Sequence, residues 1–349
     1  MTKFSLISSF DSADLRGPFS LSEDGSILAT SNITTNSVKV YRINNGNLEQ
    51  LGSDLYGEVE DESGSNSRSF GSVISLSSDG SVLAVGAPNS NNYTGLVRLY
   101  RYINDEWIQL GSDITGGSNF DQSGHSISLS SDGLTVAIGS PIHDPNSGRT
   151  NSDGEVEHVH IFHFIDNEWK QLGNKIDGAG FYEFGKNNSL SLSSDGSIVA
   201  IGSPHGTPQN RTINGFGSVG IYKIVDGDWS KVKEFTGAYK NANFGDSISL
   251  SADGSILAVG ASDAHWPWIT DQNYVEVYKK TGLYSDGVQE YERWERVGGR
   301  INGNWSAENF GSSVSLSSDG NILAVGGERG DVSMPTTRPR FCNYQKALL

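Results

Sequence analysis

One segment, FGSVISLSSDGSVLAVGAP at residues 70–88, recurs from one end of the sequence to the other. Related copies lie at 17–31, 123–141, 184–204, 244–262 and 310–327. A chain written as copies of one unit folds as repeats of one supersecondary structure, each stacked on its neighbours. The unit therefore constrains the fold more strongly than any other feature of the sequence.

The repeated unit has the pattern of a tight β-hairpin. Polar and apolar residues alternate over 72–77, which is typical of a strand with two different faces. Ser78-Asp79-Gly80 supplies turn chemistry, because Asp bonds nearby backbone and Gly accepts a positive φ. The apolar run 82–85 indicates a strand buried on both faces, and Pro88 ends it because proline donates no ladder hydrogen bond.

Two further strands are predicted after each hairpin. In the second repeat, 95–102 alternates as a third strand, a polar turn follows at 104–106, and 107–111 is a fourth strand. Matching third strands are predicted at 38–43, 158–164, 218–224 and 274–279, and matching fourth strands begin at Leu48, Trp169, Trp229 and Trp294. We interpret the recurrent tryptophans, Trp107 included, as packing between neighbouring repeats.

Repeats of four antiparallel strands are typical of a β-propeller, whereas linear solenoids, the structural alternative, usually have shorter repeats and need caps. We therefore predict an all-β, single-domain propeller over 1–349, most simply with six four-stranded blades. Residues 4–9 align with 107–112, so residues 3–9 are expected to supply an outer strand of the last blade and close the ring. The segment 328–349 diverges, and it is either a disordered or foreign tail or holds a third strand at 340–345.

Composition narrows the classes of partner. The formal net charge is −16, which argues against nucleic-acid binding and against anionic membrane surfaces, since both favour basic proteins. No apolar run approaches the length of a membrane span. The single cysteine, Cys342, excludes an intrachain disulfide. No signal peptide is recognisable, which leaves the location open.

The hairpins carry paired Phe-Gly and Gly-x-Pro-like motifs, at 70–71 with 86–88, 184–185 with 202–204, and 244–245 with 260–262. In these motifs the chain resembles FG-GAP repeats, the propeller units of integrin α-subunits and of many bacterial, algal and viral surface proteins. The resemblance implies a surface or extracellular setting and a role in adhesion. Many FG-GAP repeats hold calcium in an Asp-rich loop. Here a turn such as Ser78-Asp79-Gly80 has one carboxylate, too few ligands for calcium, and we expect no metal or cofactor.

A weaker resemblance is to WD40 repeats, carried by 76–84 followed by 97–100. The expected Trp-Asp pair is replaced by tyrosines at positions 41, 100, 222 and 278. This second resemblance implies an intracellular scaffold.

The predicted loops divide unequally between the two faces of the disc. One face receives the turns between first and second and between third and fourth strands, which are short apart from 281–292. The other receives the long segments at 111–124, 141–155, 203–217 and 261–273. Loops on a rigid scaffold commonly carry binding sites, although such loops are also tolerated as neutral insertions.

Eight residues of these long loops are the predicted ligand-binding set. His265, Trp266 and Trp268 come first, because two indoles flanking a proline can stack on sugar rings or on a partner's apolar surface, unless they cover a neighbouring blade. The polar candidates at the rim are His143, Asp144, Arg149, His205 and Arg211.

No catalytic or metal constellation is recognisable. His158, His160 and His163 suggest a metal at first sight, but no carboxylate or Cys completes the set and we expect structural roles. The function predicted from sequence is a non-catalytic binding or adhesion module for a protein or glycan. The alternatives are a polysaccharide-active propeller enzyme and a WD40-like scaffold, and the sequence leaves the oligomeric state open.

Overall fold

The computed structural model describes residues 17–57, 69–141, 156–178, 184–186, 188–205, 215–240, 242–262, 273–285, 290–303 and 309–327. These residues form six antiparallel sheets, one for each sequence repeat. Five of the sheets hold four or five strands, and the sixth holds two within the described residues. The protein is an all-β propeller with six blades, as the repeats predict.

The strands follow one another in chain order. The first sheet contains β1 (Phe19–Leu21), β2 (Ile27–Asn32), β3 (Ser37–Asn44), β4 (Asn47–Gln50) and β5 (Leu55–Tyr56). The second contains β6 (Val73–Leu76), β7 (Val82–Ala87), β8 (Leu96–Ile103), β9 (Glu106–Gln109) and β10 (Ile114–Thr115), with one short turn of mainly left-handed backbone, α1 (Ser90–Tyr93). The third contains β11 (Ser126–Leu129), β12 (Thr135–Ser140), β13 (His158–Ile165), β14 (Glu168–Gln171) and β15 (Ile176–Asp177).

The remaining three sheets repeat the order. The fourth contains β16 (Leu190–Leu192), β17 (Ile198–Ser203), β18 (Ser218–Val225) and β19 (Asp228–Thr236). The fifth contains β20 (Phe244–Leu250), β21 (Ile256–Ala261), β22 (Tyr274–Ser285), β23 (Glu290–Arg296) and β24 (Ile301–Asn302). The sixth contains β25 (Ser313–Leu316) and β26 (Leu323–Gly326). No helix in the described part of the chain is long and apolar enough to span a bilayer.

The apolar core lies between blades rather than within them. Five apolar clusters each combine residues of two neighbouring sheets. In the first, Ile27 and Val38 of one sheet pack on Ile74 and Leu83 of the next. All six residues of β7 are buried, which confirms that second strands are covered on both faces. A blade therefore depends on its neighbours to bury its apolar surface.

The recurrent tryptophans join adjacent blades, as predicted. The indole N–H of Trp107 donates to the carbonyl oxygen of Leu51, 3.0 Å away, in the preceding blade. The equivalent bonds from Trp169 to Leu110 and from Trp229 to Leu172 are both 2.7 Å long. A buried indole needs an acceptor, and the preceding blade supplies it.

Each Asp-Gly turn is held by one serine and one aspartate. In the second blade the hydroxyl of Ser77 donates to Oδ1 of Asp79 at 2.7 Å and accepts the backbone N–H of Val82 at 2.9 Å. Asp79 Oδ1 also accepts the N–H of Ser81. The same three bonds recur in the other five hairpins. The Ser-x-Asp-Gly repeat is thus a self-contained turn whose carboxylate serves its own backbone.

The six turns also bond to one another and make a closed ring. The backbone N–H of Glu23 donates to the carbonyl of Ser78, and the same bond passes around the disc through Ser131, Ser194, Ala252 and Ser318, at 2.8–3.1 Å. The hydroxyl of Ser318 then donates to the carboxylate of Glu23, which joins the sixth hairpin to the first. The body is therefore circular rather than extended.

The Phe-Gly and Gly-Ala-Pro motifs meet across blade boundaries. The N–H of Gly311 bonds within its own blade to the carbonyl of Gly326, at 2.9 Å. Its own carbonyl oxygen lies so close to Gly260 of the preceding blade that a Cβ there would overlap it. The same relation holds for Gly86 with Gly124, Gly139 with Gly185, and Gly202 with Gly245. Glycine at these positions permits the close backbone approach that brings the sheets together.

Two strand assignments from sequence are wrong. The loop predicted at 111–124 contains β10, which pairs with the start of β8, so the outer strand is two segments separated at Gly111 (φ 72°). The loop predicted at 281–292 is a hairpin extension, since β22 runs to Ser285 and pairs with β23 from Glu290. In both cases the break in the alternating pattern is a local irregularity inside the sheet.

The predicted ring closure by residues 3–9, and the third strand predicted at 340–345, lie outside the described residues. At the boundary between the sixth and first blades, Phe19 and Leu21 are 64% and 49% exposed. Their equivalents in the second blade, Ile74 and Leu76, are 7% and 8% exposed. The closure by the amino-terminal strand remains a prediction.

Removing the turn serine tests the hairpin unit. Ser77→Ala leaves the buried N–H of Val82 without its acceptor, which costs about 1–3 kcal/mol of unfolding free energy. Urea denaturation measures the loss, with Ser53→Ala, at an exposed site, as the control. Equal stability of the two variants would contradict this account of the turn.

The turn aspartates predict acid sensitivity. The hydroxyl of Ser317 and then the N–H of Asn321 lower the pKa of Asp319 to about 2. In the unfolded chain the pKa returns towards about 3.9, so the unfolded state binds more protons in acid. The turn's contribution to stability is complete above about pH 4 and is lost as the pH falls to about 2.

Urea midpoints measured from pH 5 to pH 2 test this sensitivity. Asp319→Asn keeps a side-chain acceptor that does not titrate, so its stability is expected to fall less steeply than that of the wild type. Identical slopes would show that Asp319 does not contribute to the acid response.

The contact between glycines predicts a large effect from one methyl group. Gly260→Ala places a Cβ against the backbone carbonyl of Gly311, and such overpacking costs about 1–3 kcal/mol or more. Gly299→Ala is the matched control, because nothing lies within 4 Å of its added Cβ. Thermal unfolding of both variants measures the difference, and similar melting temperatures would contradict the proposed approach of the sheets.

Candidate functional site

The two faces of the disc differ in construction. The turn face carries the six Asp-Gly turns and their hydrogen-bonded ring, together with the turns between third and fourth strands. The loop face carries the connections between second and third strands and the crossings to the next blade. Described parts of the loop face include 88–95, 116–125, 237–240 and 242–243. The candidate site is on the loop face, where these segments differ from blade to blade.

One of the eight predicted ligand-binding residues is within the described part of the chain. His205 is half-buried and follows β17 on the loop face. The other seven, namely His143, Asp144, Arg149, Arg211, His265, Trp266 and Trp268, lie outside the described residues. Their role in binding therefore remains a prediction.

The loop of the second blade has an unusual backbone. Asn91, Asn92 and Tyr93 follow one another with φ values of 54°, 56° and 63°, and Phe120 in the facing crossing has φ of 71°. Asparagine tolerates the left-handed region, but an aromatic residue rarely adopts it. Backbone in such a conformation concentrates at sites of function, where the surrounding structure holds it.

The strained backbone presents two aromatic rings. Tyr93 and Phe120 stack with their ring centroids 5.8 Å apart and their planes inclined by 17°. Tyr93 is 38% exposed, and Phe120 is half-buried. Sequence reasoning missed this pair, because the two rings come from different loops and neither belongs to a recognisable motif. We call Tyr93 and Phe120, with the loops at 89–94 and 116–122, the aromatic platform.

Backbone hydrogen bonds hold the two loops of the platform together. The N–H of Gln122 donates to the carbonyl of Tyr93 at 2.8 Å, and the N–H of Ser123 donates to that of Thr94 at 3.0 Å. Oδ2 of the fully buried Asp121 accepts the N–H groups of Gly117 and Ser118, each at 2.8 Å. The rings are therefore positioned by a rigid framework.

A small cavity opens beside the platform, between the first and second blades. It has a volume of about 20 Å³, and Asn36, Phe70, Ser90, Asn91 and Arg98 are among the residues that line it. Arg98 donates from Nε and Nη2 to the two oxygens of Asp113, at 2.7 and 2.6 Å. The bond to Asp113 raises the pKa of Arg98, so this bidentate pair keeps the guanidinium charged and fixed.

A second aromatic cluster joins the fourth and fifth blades on the same face. The guanidinium of Arg300 lies 4.8 Å from the ring centroid of Tyr239 and 4.9 Å from that of Tyr274. Arg300 Nε also donates to Oε1 of the buried Glu276 at 2.7 Å, and Arg296 Nη1 donates to the same oxygen at 2.9 Å. Every polar group of this cluster serves another, which indicates a blade-to-blade contact rather than a site.

A buried carboxylate on the turn face, that of Glu292, also has a structural role. Glu292 accepts Lys280 Nζ at 2.6 Å, Lys223 Nζ, and the indole N–H of Trp294 at 2.9 Å. In the other blades the indole donates to a backbone carbonyl of the preceding blade. The preceding strand β19 is here one continuous strand, and Glu292 provides the acceptor instead.

The histidines of β13 make ordinary strand contacts. His158 is buried, and its Nδ1 lies 3.0 Å from the carbonyl oxygen of Val156. The rings of His158 and His160 pack edge to face, with their centroids 4.7 Å apart. Nδ1 of His163 lies 3.0 Å from the hydroxyl of Thr135. Among the described residues no three His, Cys, Asp or Glu side chains are grouped so as to hold a metal ion.

At the loop-side end of the central axis, Asn188 connects blades that are not neighbours. Its Nδ2 lies 3.5 Å from the carbonyl oxygen of Ser312 in the sixth blade. Its own carbonyl accepts the N–H of Ile248 in the fifth blade at 3.0 Å. These two contacts join the fourth blade to the fifth and sixth blades at or next to their first strands.

Comparisons with known proteins find similar structures without a matching sequence family. No protein-family model and no curated protein matches the sequence. Hydrazine synthase of Kuenenia stuttgartiensis is similar in structure, with a TM-score of 0.54 and 15% identity over 90% of this chain and 83% of that one.

Two further solved structures are similar over most of their length. A putative 6-phosphogluconolactonase of Bacteroides uniformis has a TM-score of 0.53 and 12% identity over 93% of this chain and 82% of that one. The Cps50 (Swd1) β-propeller domain of Myceliophteria thermophila has a TM-score of 0.53 and 10% identity over 88% of this chain and 79% of that one. At such low identity the likeness establishes fold alone, and by fold the chain is a β-propeller.

Proposed function

We propose that the chain is a non-catalytic binding or adhesion module, of the FG-GAP-like kind, whose loop face captures a protein or a glycan. The observation that carries the proposal is the difference between the faces. Six equivalent turns are joined in one ring on the turn face, whereas the loop face carries the exposed Tyr93 and the half-buried Phe120, both with strained backbone, on a rigid base. Loops on a rigid scaffold are where binding residues commonly lie.

The FG-GAP-like character is supported by the contacts of the glycines. At three blade boundaries the Gly of the Gly-Ala-Pro-like motif packs on the carbonyl of the next Phe-Gly motif, and at a fourth Gly86 packs on Gly124, which follows a serine. The two halves of the motif are thus parts of one contact. A WD40-like scaffold is the alternative among binding proteins, and in this chain Tyr41, Tyr100, Tyr222 and Tyr278 stand where that repeat has a Trp-Asp pair.

We propose binding rather than catalysis, and the carboxyl groups of the described residues support that choice. A polysaccharide-cleaving enzyme needs a carboxylic acid with a raised pKa to protonate the leaving group. The described carboxyls with shifted pKa values are shifted downwards. Burial raises the pKa of Glu276, but hydrogen bonds from Tyr278, Arg300 and Arg296 outweigh it and lower the pKa. The pKa of Glu292 is also lowered, because the hydrogen bonds from Lys223 and Lys280 outweigh the effect of burial.

The charge of the protein narrows the partner. A net charge of −16 repels phosphate backbones and anionic membranes, so the proposed ligand is a protein or a glycan and not a nucleic acid. The Trp266 and Trp268 indoles, predicted from sequence, are proposed as part of the same loop face.

Arrays of glycans and of purified extracellular and cytosolic proteins test the proposed function. A bound ligand is expected to lose at least about tenfold in affinity in the double variant Trp266→Ala, Trp268→Ala, because stacking area is removed. Tyr284→Ala is the control on the turn face, where Tyr284 is 46% exposed and stacks on Tyr291. Affinity is measured by titration calorimetry, and folding is checked by thermal unfolding.

Three outcomes would contradict the proposal. The absence of any ligand on either array argues against a binding module. Loss of binding in Tyr284→Ala alone places the site on the turn face. Release of reducing ends from a polysaccharide panel, in a parallel assay, favours the enzyme alternative.

A further inference from the structure

We infer that the aromatic platform and the cavity beside it form a binding site for a neutral glycan. This inference rests on the proposed function and names its ligand class and its residues. The site comprises Tyr93 and Phe120, the amide-rich loops that carry them, and the pocket bounded by Ser90 and Arg98.

The two rings supply the apolar part of the recognition. Sugar rings have one face of C–H groups, which packs on an exposed aromatic ring. Tyr93 and Phe120 stack on each other with their planes inclined by 17°, so only an outer ring face is left for a ligand, and Tyr93 is the more exposed of the two rings. Tyrosine adds a hydroxyl at the edge of the platform, where it can bond to a sugar hydroxyl.

The surrounding side chains are polar and mostly neutral. Asn92, Thr94 and Asn119 are exposed or half-buried around the rings, and the Thr94 hydroxyl lies 3.4 Å from Oδ1 of Asn119. Amides and hydroxyls donate and accept hydrogen bonds, which matches the hydroxyl groups of a sugar. Asp121 is fully buried and engaged by its own loop, so it presents no charge to a ligand.

The cavity accommodates one small substituent. A volume of about 20 Å³ exceeds the roughly 10–15 Å³ that a water molecule needs, so a hydroxyl or hydroxymethyl group fits. The guanidinium of Arg98 is held by the two oxygens of Asp113, so this ion pair adds no net charge to the wall of the cavity. The site therefore selects a ligand with hydroxyl groups rather than an anion.

The size of the site favours a sugar over a protein partner. Stable protein interfaces bury about 800 Å² on each partner. Within the residues that the structure describes, two rings and a cavity of about 20 Å³ match one or two sugar units instead. Since the whole protein is acidic at −16, sulfated and carboxylated glycans are repelled, and a neutral glycan is the ligand that fits.

Because Tyr93 and Phe120 have positive φ values, each ring can be removed by a glycine substitution without straining the backbone. Glycine adopts φ of 63° or 71° without a Cβ penalty, so Tyr93→Gly and Phe120→Gly remove one ring each and relieve strain. We expect melting temperatures within about 3 °C of wild type. We also expect each variant to lose at least about tenfold in affinity for neutral oligosaccharides.

The probes are an array of neutral, sulfated and sialylated oligosaccharides and a peptide array, followed by calorimetric titration of the hits. Wild-type protein and Tyr284→Ala, the matched stacked pair on the turn face, are expected to bind the same neutral glycan equally. Unchanged affinity in both glycine variants overturns the inference. Preferential capture of anionic glycans or of peptides overturns it as well.

The result also separates this inference from the proposed function. If the Trp266→Ala, Trp268→Ala variant loses the ligand while Tyr93→Gly and Phe120→Gly keep it, the loop face binds but the aromatic platform does not. If no loop-face variant changes binding, both proposals fail. If the glycine variants unfold, the milder Tyr93→Ala and Phe120→Leu variants are titrated in their place, with the same expected and contradicting outcomes.

Discussion

Each blade buries its apolar face only against the next blade, and the rest of the structure depends on that contact. The second strands lie at its centre, covered on both sides, and glycines such as Gly260 let neighbouring backbones approach until a methyl group would not fit. Indoles such as Trp107 then donate across the boundary. Since no sheet has a core of its own, the repeats stabilise one another as a ring.

The ring explains why the two faces can differ so much. The turn face helps to close the ring, because the backbone of each Ser-x-Asp-Gly turn is hydrogen-bonded to the next turn. The carboxylate of each turn accepts hydrogen bonds from its own turn. The loop face carries connections that lie outside the closure. Those connections are able to hold strained conformations, such as Tyr93 and Phe120, because the sheets below keep their ends in place.

Sequence reasoning succeeded where one local pattern recurred, and it missed features that arise from two distant segments. The hairpins, the buried second strands and the packing of the tryptophans between blades followed from repeated spacing. The alternating pattern is interrupted at Gly111, so β10 was not predicted from sequence. The end of β22 and the start of β23 were predicted to be a loop, although they pair as strands. No sequence pattern predicts the Tyr93–Phe120 pair, because the rings come together only where two separate loops lie side by side in the folded protein.

The sequence by itself determined the number of repeats, the strand order within each blade and the chemistry of each turn, because these depend on neighbours a few residues apart. Only the tertiary structure decided which residues come into contact across blades: Gly86 with Gly124, Glu292 with Lys223, and Ser318 with Glu23. Such meetings depend on the angle and spacing at which whole sheets pack. That geometry is a property of the closed ring, and no single repeat contains it.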